Sequence, residues 1–133
     1  MNKLLIILLL VAVVTLAAWA INSGKDNGFR TVDANEFENI ISDYKNIQLL
    51  DVRTQDEFDE GHLPGAILID VKDSTFMEQA TSQLAKAKPV AVYCRSGRRS
   101  ANAASKLVKA GFEVINLDGG ILAWQSHGKR VMK

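Results

Sequence analysis

Residues 90–100 read VAVYCRSGRRS, and they decide where the reactive part of this chain lies. Val90–Tyr93 is a short, apolar and partly β-branched run, which is typical of a strand buried in a sheet. Residues 100–110 have a helical composition, and Gly111 is placed to end that helix. Cys94, the only cysteine, is therefore predicted at the carboxyl end of a strand, where the cysteine loop (residues 94–99) runs into the N-terminus of a helix.

The surroundings of Cys94 favour an ionised, nucleophilic thiol. A thiol is a weak nucleophile until it loses its proton, and helix N-termini and nearby cations lower a cysteine pKa from about 8.5 to roughly 3.5–7.5. Backbone N–H groups that curl around one point bind anions, and the helix dipole strengthens this binding. Gly97 can adopt the positive φ that a tight curl requires. The cysteine loop is therefore predicted to hold a thiolate, with an anionic substrate or an anionic sulfur adduct above it.

A lone cysteine can also be a small, inert member of a hydrophobic core. The polar, arginine-rich sequence after Cys94 makes full burial of its side chain an unfavourable interpretation. The arginines have a simple alternative of their own, a charged surface in contact with solvent, and Arg95 could be only that. A reactive cysteine in an anion-binding loop is the interpretation that these residues favour.

Length and composition limit the chain to one modest domain. The 133 residues are 47% hydrophobic and 23% charged, which is enough for a single core. The formal net charge is +1, and it becomes zero if Lys3 is removed, so nothing indicates a nucleic-acid-binding surface. A single cysteine rules out an internal disulfide framework, and the two distant histidines offer no zinc-ligand spacing. No metal or organic cofactor is predicted.

Residues 1–21 are predicted to direct the chain out of the cytoplasm. Residues 4–21 carry no charge, and as a helix this run comes close to the hydrocarbon thickness of a bilayer. Trp19 at its outer end suits the membrane interface. Ala18 and Ala20 offer a small-x-small cleavage site, so a cleaved signal peptide and an uncleaved membrane anchor both remain open.

The residues after this run are predicted to form a linker and a folded domain. Residues 22–28 are polar and punctuated by glycine, which is typical of a flexible linker. Residues 29–133 are predicted to be the domain. Whether the first segment is cleaved or retained, the domain is expected in the periplasm or cell envelope, secreted or tethered to the membrane.

Strands and helices are predicted to alternate along the domain. The predicted strands are Phe29–Val32, Ile47–Val52, Ala66–Asp70, Val90–Tyr93 and Glu113–Leu117. Helices are predicted after Asp33 (capped with Glu36), over Thr54–Glu60, from Thr75 (capped with Glu78) to about Lys88, over Ser100–Ala110 and over Ile121–Trp124. This alternation predicts an α/β fold with a mostly parallel sheet of about five strands and helices on both faces. In such sheets ligands bind at the carboxyl ends of strands, where Cys94 lies.

Four motifs, in order along residues 29–127, resemble those of single-domain rhodaneses, a family of sulfurtransferase modules. They are LDVR at 50–53 with Glu57 and Phe58, GHLPGA at 61–66, CRSGRRS at 94–100, and LDGG at 117–120 with Trp124. The resemblance implies a rhodanese-like fold in which Cys94 accepts sulfane sulfur as a persulfide. It implies a small anionic donor such as thiosulfate, and cyanide, a thiol or a thiol protein as the acceptor.

The resemblance also implies which residues form the site. The N–H groups of the cysteine loop would cradle the persulfide, with Arg98 and Arg99 as the foremost aids to binding the donor anion. The implied site residues are Cys94 as the catalytic residue and, for substrate binding, Arg95, Ser96, Gly97, Arg98, Arg99 and Ser100.

Other residues in the matched motifs are interpreted as structural. Asp51 and Arg53 are expected to be structural rather than catalytic, with Arg53 pairing with Glu57. His62 lies in a Gly-His-Leu-Pro-Gly turn, where a hydrogen bond that fixes the backbone is favoured over a role as a base. Trp124, at helical spacing from Ile121, is expected in the core.

Two other functions remain open. Cysteine loops on related folds serve phosphatases and arsenate reductases, whose common signature places five residues between the cysteine and an arginine. Here Arg99 follows Cys94 after four residues, and Ser100 occupies the arginine position. The second alternative is a rhodanese-like module without turnover, which docks a partner or senses oxidation, since an oxidising compartment exposes a low-pKa thiolate to sulfenylation.

Overall fold

The structure, a computed structural model, describes residues 2–3 and 28–133. Over residues 28–133 five strands form one parallel sheet. The strands are β1 (Arg30–Val32), β2 (Gln48–Asp51), β3 (Ile67–Leu68), β4 (Val90–Tyr93) and β5 (Val114–Leu117). The helices of this range are α1 (Ala34–Ile41), α2 (Gln55–Glu60), α3 (Phe76–Gln83), α4 (Arg98–Lys109) and α5 (Gly120–Ser126). The predicted alternation of strands and helices is confirmed.

Most of the predicted export segment and linker lies outside the described residues, which omit residue 1 and residues 4–27. Within the described ranges, no helix is both long enough and apolar enough to cross a membrane. Export and membrane attachment therefore stay predictions.

The order of the sheet places the strand before the cysteine in the middle. The strands run β1-β5-β4-β2-β3, and Val92 of β4 pairs with Leu50 of β2 on one side and Asn116 of β5 on the other. All of β4 is buried, as expected for a parallel strand covered on both faces. Because the strands are parallel, the segments that follow β2, β4 and β5 all emerge at one edge of the sheet.

Each face of the sheet packs against its own hydrophobic core. On one face Val92 packs with α3 and α4, through side chains that include Phe76 and Leu107. On the other face α1 and α5 contribute Phe37 and Trp124, whose rings meet edge to face with centroids 6.4 Å apart. Helices on both faces and a core position for Trp124, both predicted from the sequence, are confirmed.

Helix capping differs from the prediction at α1 and α2. Asp33 accepts a hydrogen bond from the Glu36 N–H at 2.8 Å, but the Glu36 carboxylate faces Arg30 at 3.5 Å, so only half of the predicted capping box forms. A complete capping box forms instead at α2, between Thr54 and Glu57. The side chain of Glu57 is thereby fixed near the carboxyl end of β2.

Helix α3 is shorter than predicted. The Thr75 side chain makes no capping hydrogen bond, and the helix ends at Gln83 rather than near Lys88. The Gln48 side chain accepts from the Ala85 N–H at 2.7 Å and donates to the Ala85 carbonyl at 2.8 Å. This long-range amide contact holds the segment after α3 against β2, so the chain leaves the helix early.

Candidate active site

The cysteine loop folds over the side chain of Cys94. Gly97 adopts φ +103° and turns the chain, so that α4 begins at Arg98. The Gly97 N–H donates to Cys94 Sγ at 3.1 Å. Cys94 is only 1% exposed and packs in the same core as Ala103 and Leu107 of α4. The expectation that full burial is unfavourable was wrong, because the loop and α4 cover the thiol together while the loop still directs a polar donor at it.

Two opposing effects act on the Cys94 thiol. Burial raises the pKa of Cys94, but hydrogen bonds from the Ser100 hydroxyl and from the N–H groups of Ser100, Gly97 and Ser96 outweigh burial and lower it. In the structure the Ser100 hydroxyl donates to the Gly97 carbonyl at 3.1 Å. A hydroxyl has one proton to donate, so Ser100 must turn away from that carbonyl to stabilise a thiolate. The backbone N–H groups lower the pKa of Cys94 without any such rotation.

Helix α5 holds the beginning of the cysteine loop in place. The Ile121 N–H donates to the Cys94 carbonyl at 2.9 Å, and the Leu122 N–H donates to the Arg95 carbonyl at 3.2 Å. A Cβ at Gly120 would lie 2.5 Å from the Cys94 carbonyl oxygen, so only glycine allows this approach. The sequence analysis named Gly119 and Gly120 only as part of the LDGG motif and missed this contact, because a glycine pair does not reveal which backbone it meets.

A buried ion pair connects the residue before Cys94 to the Gly-His-Leu-Pro-Gly turn. Arg53 Nη2 donates to Asp51 Oδ2 and to the Gly61 carbonyl, both at 2.7 Å. The Tyr93 hydroxyl donates to Asp51 Oδ2 at 2.7 Å and accepts from the Leu63 N–H at 3.0 Å. Burial and the Asp51 carboxylate raise the pKa of Tyr93 well above its usual value, so the phenol stays a donor. Asp51 and Arg53 thus have the structural role predicted for them.

Glu57 pairs with Arg99, so the predicted pair between Arg53 and Glu57 is wrong. Its two carboxylate oxygens accept from Arg99 Nη1 and Nη2 at 2.7 and 2.8 Å. The prediction failed because Asp51 lies closer to Arg53 inside the fold. The Arg99 guanidinium lowers the pKa of Glu57 to about 2, and the carboxylate in turn raises the pKa of Arg99. Arg98, by contrast, is exposed and forms no ion pair with the described residues.

A pocket of about 250 Å³, the side pocket, opens next to the cysteine loop. Its charged side chains are Arg53, Glu57, Glu60 and Arg95. Its remaining wall consists of Gly61 and, from α5, Ile121, Leu122 and Gln125. Arg95 is the predicted site residue that lines this cavity, whereas Arg98 and Arg99 lie outside the lining. No group of three or more His, Cys, Asp or Glu side chains in the described ranges is placed to hold a metal ion.

His62 fixes the backbone, as predicted. Its Nδ1 lies 3.0 Å from the carbonyl oxygen of Phe58, and the two rings stack with centroids 3.7 Å apart. The backbone of His62 also exchanges two hydrogen bonds with that of Met132, each of 2.8 Å. These contacts anchor the turn that carries Gly61, and His62 lies outside the lining of the side pocket.

Comparison with known proteins matches residues 33–127 to the rhodanese-like domain model. Thiosulfate sulfurtransferase 18 of Arabidopsis thaliana is 42% identical over 92 residues, 60% of this chain and 68% of that protein. A sulfurtransferase of Allochromatium vinosum is 34% identical over 98 residues, 73% of this chain and 89% of that protein. The crystal structure of a rhodanese-related protein from Thermoplasma volcanium matches with a TM-score of 0.68 and 29% identity, covering 78% of this chain and 98% of that one. The matched residues include the whole cysteine loop and the side pocket.

Proposed function

The chain belongs to the rhodanese-like family, and we propose that it is a sulfurtransferase that carries sulfane sulfur as a persulfide on Cys94. Relatives named sulfurtransferases support this kind of activity in general. The observation that carries the proposal is the Gly97 N–H directed at Cys94 Sγ at 3.1 Å, in a loop that leads straight into the N-terminus of α4. Donors in this arrangement stabilise a thiolate, and they stabilise a persulfide anion for the same reason.

In the first half-reaction the Cys94 thiolate attacks the outer sulfur of a thiosulfate-like donor. A bond forms between Sγ and that sulfur, the S–S bond of the donor breaks, and sulfite leaves with the bonding electron pair. The lowered pKa of Cys94 supplies the thiolate that this step needs. Because the thiol is buried, the cysteine loop has to open for the donor to reach it, which favours a small donor over a bulky one.

In the second half-reaction an acceptor attacks the outer sulfur of the persulfide. The acceptor is cyanide in an assay and a thiol or thiol protein in the cell. The S–S bond to Cys94 breaks, and the residue leaves as the thiolate that began the cycle. Because each half-reaction ends before the next begins, the kinetics are expected to be ping-pong, with parallel lines in a double-reciprocal plot. Intersecting lines would contradict a persulfide intermediate.

We assign different roles to the three arginines of the cysteine loop. Arg95 and Arg98 are exposed and lack an ion-pair partner among the described residues, so their charge is available to attract a donor anion. Arg99 is already paired with Glu57 and serves to hold the loop against α2. Replacing Arg95 and Arg98 with Ala together is expected to raise the KM for thiosulfate; an unchanged KM would contradict this assignment.

Intact mass spectrometry of the full-length protein tests the persulfide directly. After incubation with thiosulfate, Cys94 is expected to gain the mass of one sulfur atom, and cyanide is expected to remove it with formation of thiocyanate. The Cys94→Ser variant is the matched control and must gain nothing. If the wild-type thiol alkylates readily yet gains no sulfur, the proposal fails; turnover of arsenate or an aryl phosphate would then establish oxyanion chemistry, and its absence would favour a docking or sensing module.

We also propose that residues 1–21 export the domain, either as a signal peptide or as a membrane anchor. The support is the uncharged run at 4–21 behind a basic residue, Lys3. Protease added to intact spheroplasts is expected to digest the domain if it is outside the cytoplasm, and the mass of the protein recovered from cells shows whether the segment was cleaved. Protection from protease would overturn the proposed localisation.

A further inference from the structure

The charges that line the side pocket are balanced, and this balance points to a particular kind of ligand. Two arginines and two glutamates contribute to the lining, Arg53 and Arg95 against Glu57 and Glu60. A site built only to attract an oxyanion would have an excess of positive charge. We infer that the side pocket binds an amino-acid-type thiol, a small thiol with a free ammonium and a free carboxylate, and that this thiol is the sulfur acceptor. The inference rests on the proposed sulfurtransferase function and specifies its acceptor.

Two of the four charges are already neutralised by neighbouring side chains. Arg53 is paired with Asp51 at 2.7 Å and also donates to the Gly61 carbonyl. Glu57 is held at two points by Arg99. The charge of each group is already offset by a partner of opposite sign, so each attracts a ligand charge less than an unpaired group does. Arg53 and Glu57 therefore shape the pocket, and the charges that are available to a ligand come from other residues.

The two available charges have opposite sign. Arg95 comes from the cysteine loop and Glu60 from the last residue of α2, and both are exposed. Neither forms an ion pair with another described residue. A ligand with one carboxylate and one ammonium therefore offers each of them a partner of opposite charge. The apolar side chains of Ile121 and Leu122 lie beside them in the wall, where they can contact the methylene of a cysteine-like thiol.

The position and the size of the side pocket agree with this ligand. The pocket contacts the cysteine loop at Arg95, and the carbonyls of Cys94 and Arg95 bind the N–H groups of Ile121 and Leu122, two other residues of its wall. Its volume of about 250 Å³ lies just below the range of about 300–1,000 Å³ for drug-sized ligands. A dianion such as thiosulfate would gain from Arg95 but would face the unneutralised carboxylate of Glu60. The side pocket is therefore better suited to the acceptor than to the donor.

The transfer step is balanced without any further reactant. The acceptor thiolate attacks the outer sulfur of the Cys94 persulfide and forms a new S–S bond. The S–S bond to Sγ breaks, and its electron pair leaves on the Cys94 thiolate. Because the loop stabilises the persulfide as an anion, the proton that the acceptor thiol gives up goes to the outer sulfur, so the products are the persulfide of the acceptor and the Cys94 thiolate. No external oxidant or reductant is consumed.

Four small thiols that carry both, one or neither of the two charged groups test this inference. Full-length protein is first loaded from thiosulfate, and loading is verified by intact mass. Cysteine, cysteamine, 3-mercaptopropionate and 2-mercaptoethanol are then compared by the rate at which each removes sulfur from Cys94. Each rate is divided by the rate at which the same thiol attacks a small disulfide, which corrects for differences in thiolate fraction and nucleophilicity. Cysteine is expected to exceed cysteamine and 3-mercaptopropionate by about two- to fivefold each, the range of an exposed ion pair.

Two variants assign the effect to the pocket. Glu60→Gln is expected to slow the thiols that carry an ammonium and to leave 3-mercaptopropionate unaffected, whereas Arg95→Gln is expected to slow only those that carry a carboxylate. Asp59→Asn is the matched control, because it removes an exposed carboxylate of the same helix that lies outside the pocket lining. Equal corrected rates for the four thiols, or variants that slow all four alike, would overturn the inference while leaving the sulfurtransferase function intact. Failure of the wild type to load sulfur would overturn both.

Discussion

A Cβ atom on Gly120 would lie 2.4 Å from the carbonyl oxygen of Arg95. The first turn of α5 therefore packs directly on the backbone of the cysteine loop, and two N–H groups of that turn bind the carbonyls of Cys94 and Arg95. Helix α5 is only seven residues long, but these two hydrogen bonds hold the first two residues of the cysteine loop in position. The position of Cys94 thus depends on an element more than 20 residues away along the chain as well as on its own strand.

We expect Gly120→Ala to damage both stability and sulfur loading. Its Cβ would clash with backbone that has no room to move, so a loss of more than about 2 kcal/mol in the free energy of unfolding is expected. Gly65→Ala is the control, because Gly65 also has a positive φ but its Cβ would meet nothing within 4 Å. That variant is expected to lose only about 1–2 kcal/mol, the cost of the left-handed conformation. Urea unfolding measures stability, and intact mass measures sulfur loading. Equal losses in Gly120→Ala and Gly65→Ala would contradict the proposed contact.

The Ser100 hydroxyl is expected to help keep Cys94 ionised. Because the pKa of Cys94 is lowered in part by this hydroxyl, Ser100→Ala should move the pH midpoint of its alkylation upward. The shift should be partial, since the backbone N–H groups of residue 100, Gly97 and Ser96 remain. The rate of reaction with iodoacetamide across the pH range gives the midpoint. Ser105→Ala removes a hydroxyl further along α4 and serves as the comparison; a midpoint unchanged by Ser100→Ala would exclude this role.

The Glu57–Arg99 pair is expected to make stability depend on acid pH. The folded-state pKa of Glu57 is about 2 against an ordinary 4.5, so the stabilisation is present above pH 4.5 and is lost as the pH falls toward 2. With allowance for solvent screening of this partly exposed pair, Glu57→Gln is expected to cost about 1 kcal/mol at neutral pH. The difference between wild type and variant should shrink as the pH falls through this range. If the ion pair contributes nothing, the unfolding free energies of wild type and Glu57→Gln will follow parallel curves as the pH falls from 4.5 toward 2.

The Tyr93 hydroxyl is expected to contribute more than an ordinary surface tyrosine. Tyr93→Phe leaves Asp51 without one donor and the Leu63 N–H without its acceptor, both in a buried setting, so a loss of about 1–3 kcal/mol is expected. Tyr44→Phe is the matched control, because Tyr44 is 77% exposed, and it is expected to stay within about 0.5 kcal/mol of the wild type. Urea unfolding compares the two, and equal stabilities for both variants would contradict a supporting role for the buried hydroxyl.

Local patterns in the sequence were sufficient for the elements and for the position of the cysteine. The apolar run of β4 and the helix-forming residues after it are contiguous, so their periodicity alone placed Cys94 at a strand end before a helix. The structural role of His62 was predictable for the same reason. Its motif indicates a turn, and its hydrogen bond to Phe58 spans only four residues. Predictions of this kind succeed because the interacting groups are close along the chain.

Partners that are distant along the chain were the ones that sequence reasoning missed. Glu57 was assigned to Arg53, four residues away, yet it binds Arg99, which lies 42 residues away in sequence. Charge alone does not distinguish these partners; the choice depends on which strand ends lie next to each other in the sheet. The early end of α3 has a similar cause, the amide of Gln48 from β2.

The sequence by itself determined the α/β order of the chain, the motifs that carry the family resemblance and the identity of the residue expected to react. Only the tertiary structure decided that Cys94 is buried, that Arg99 is paired while Arg95 is available, and that Gly120 supports the cysteine loop. The physical reason is that strand and helix formation depend mainly on neighbours along the chain, whereas burial and ion-pair choice depend on how parallel strands bring separate segments to one edge of the sheet.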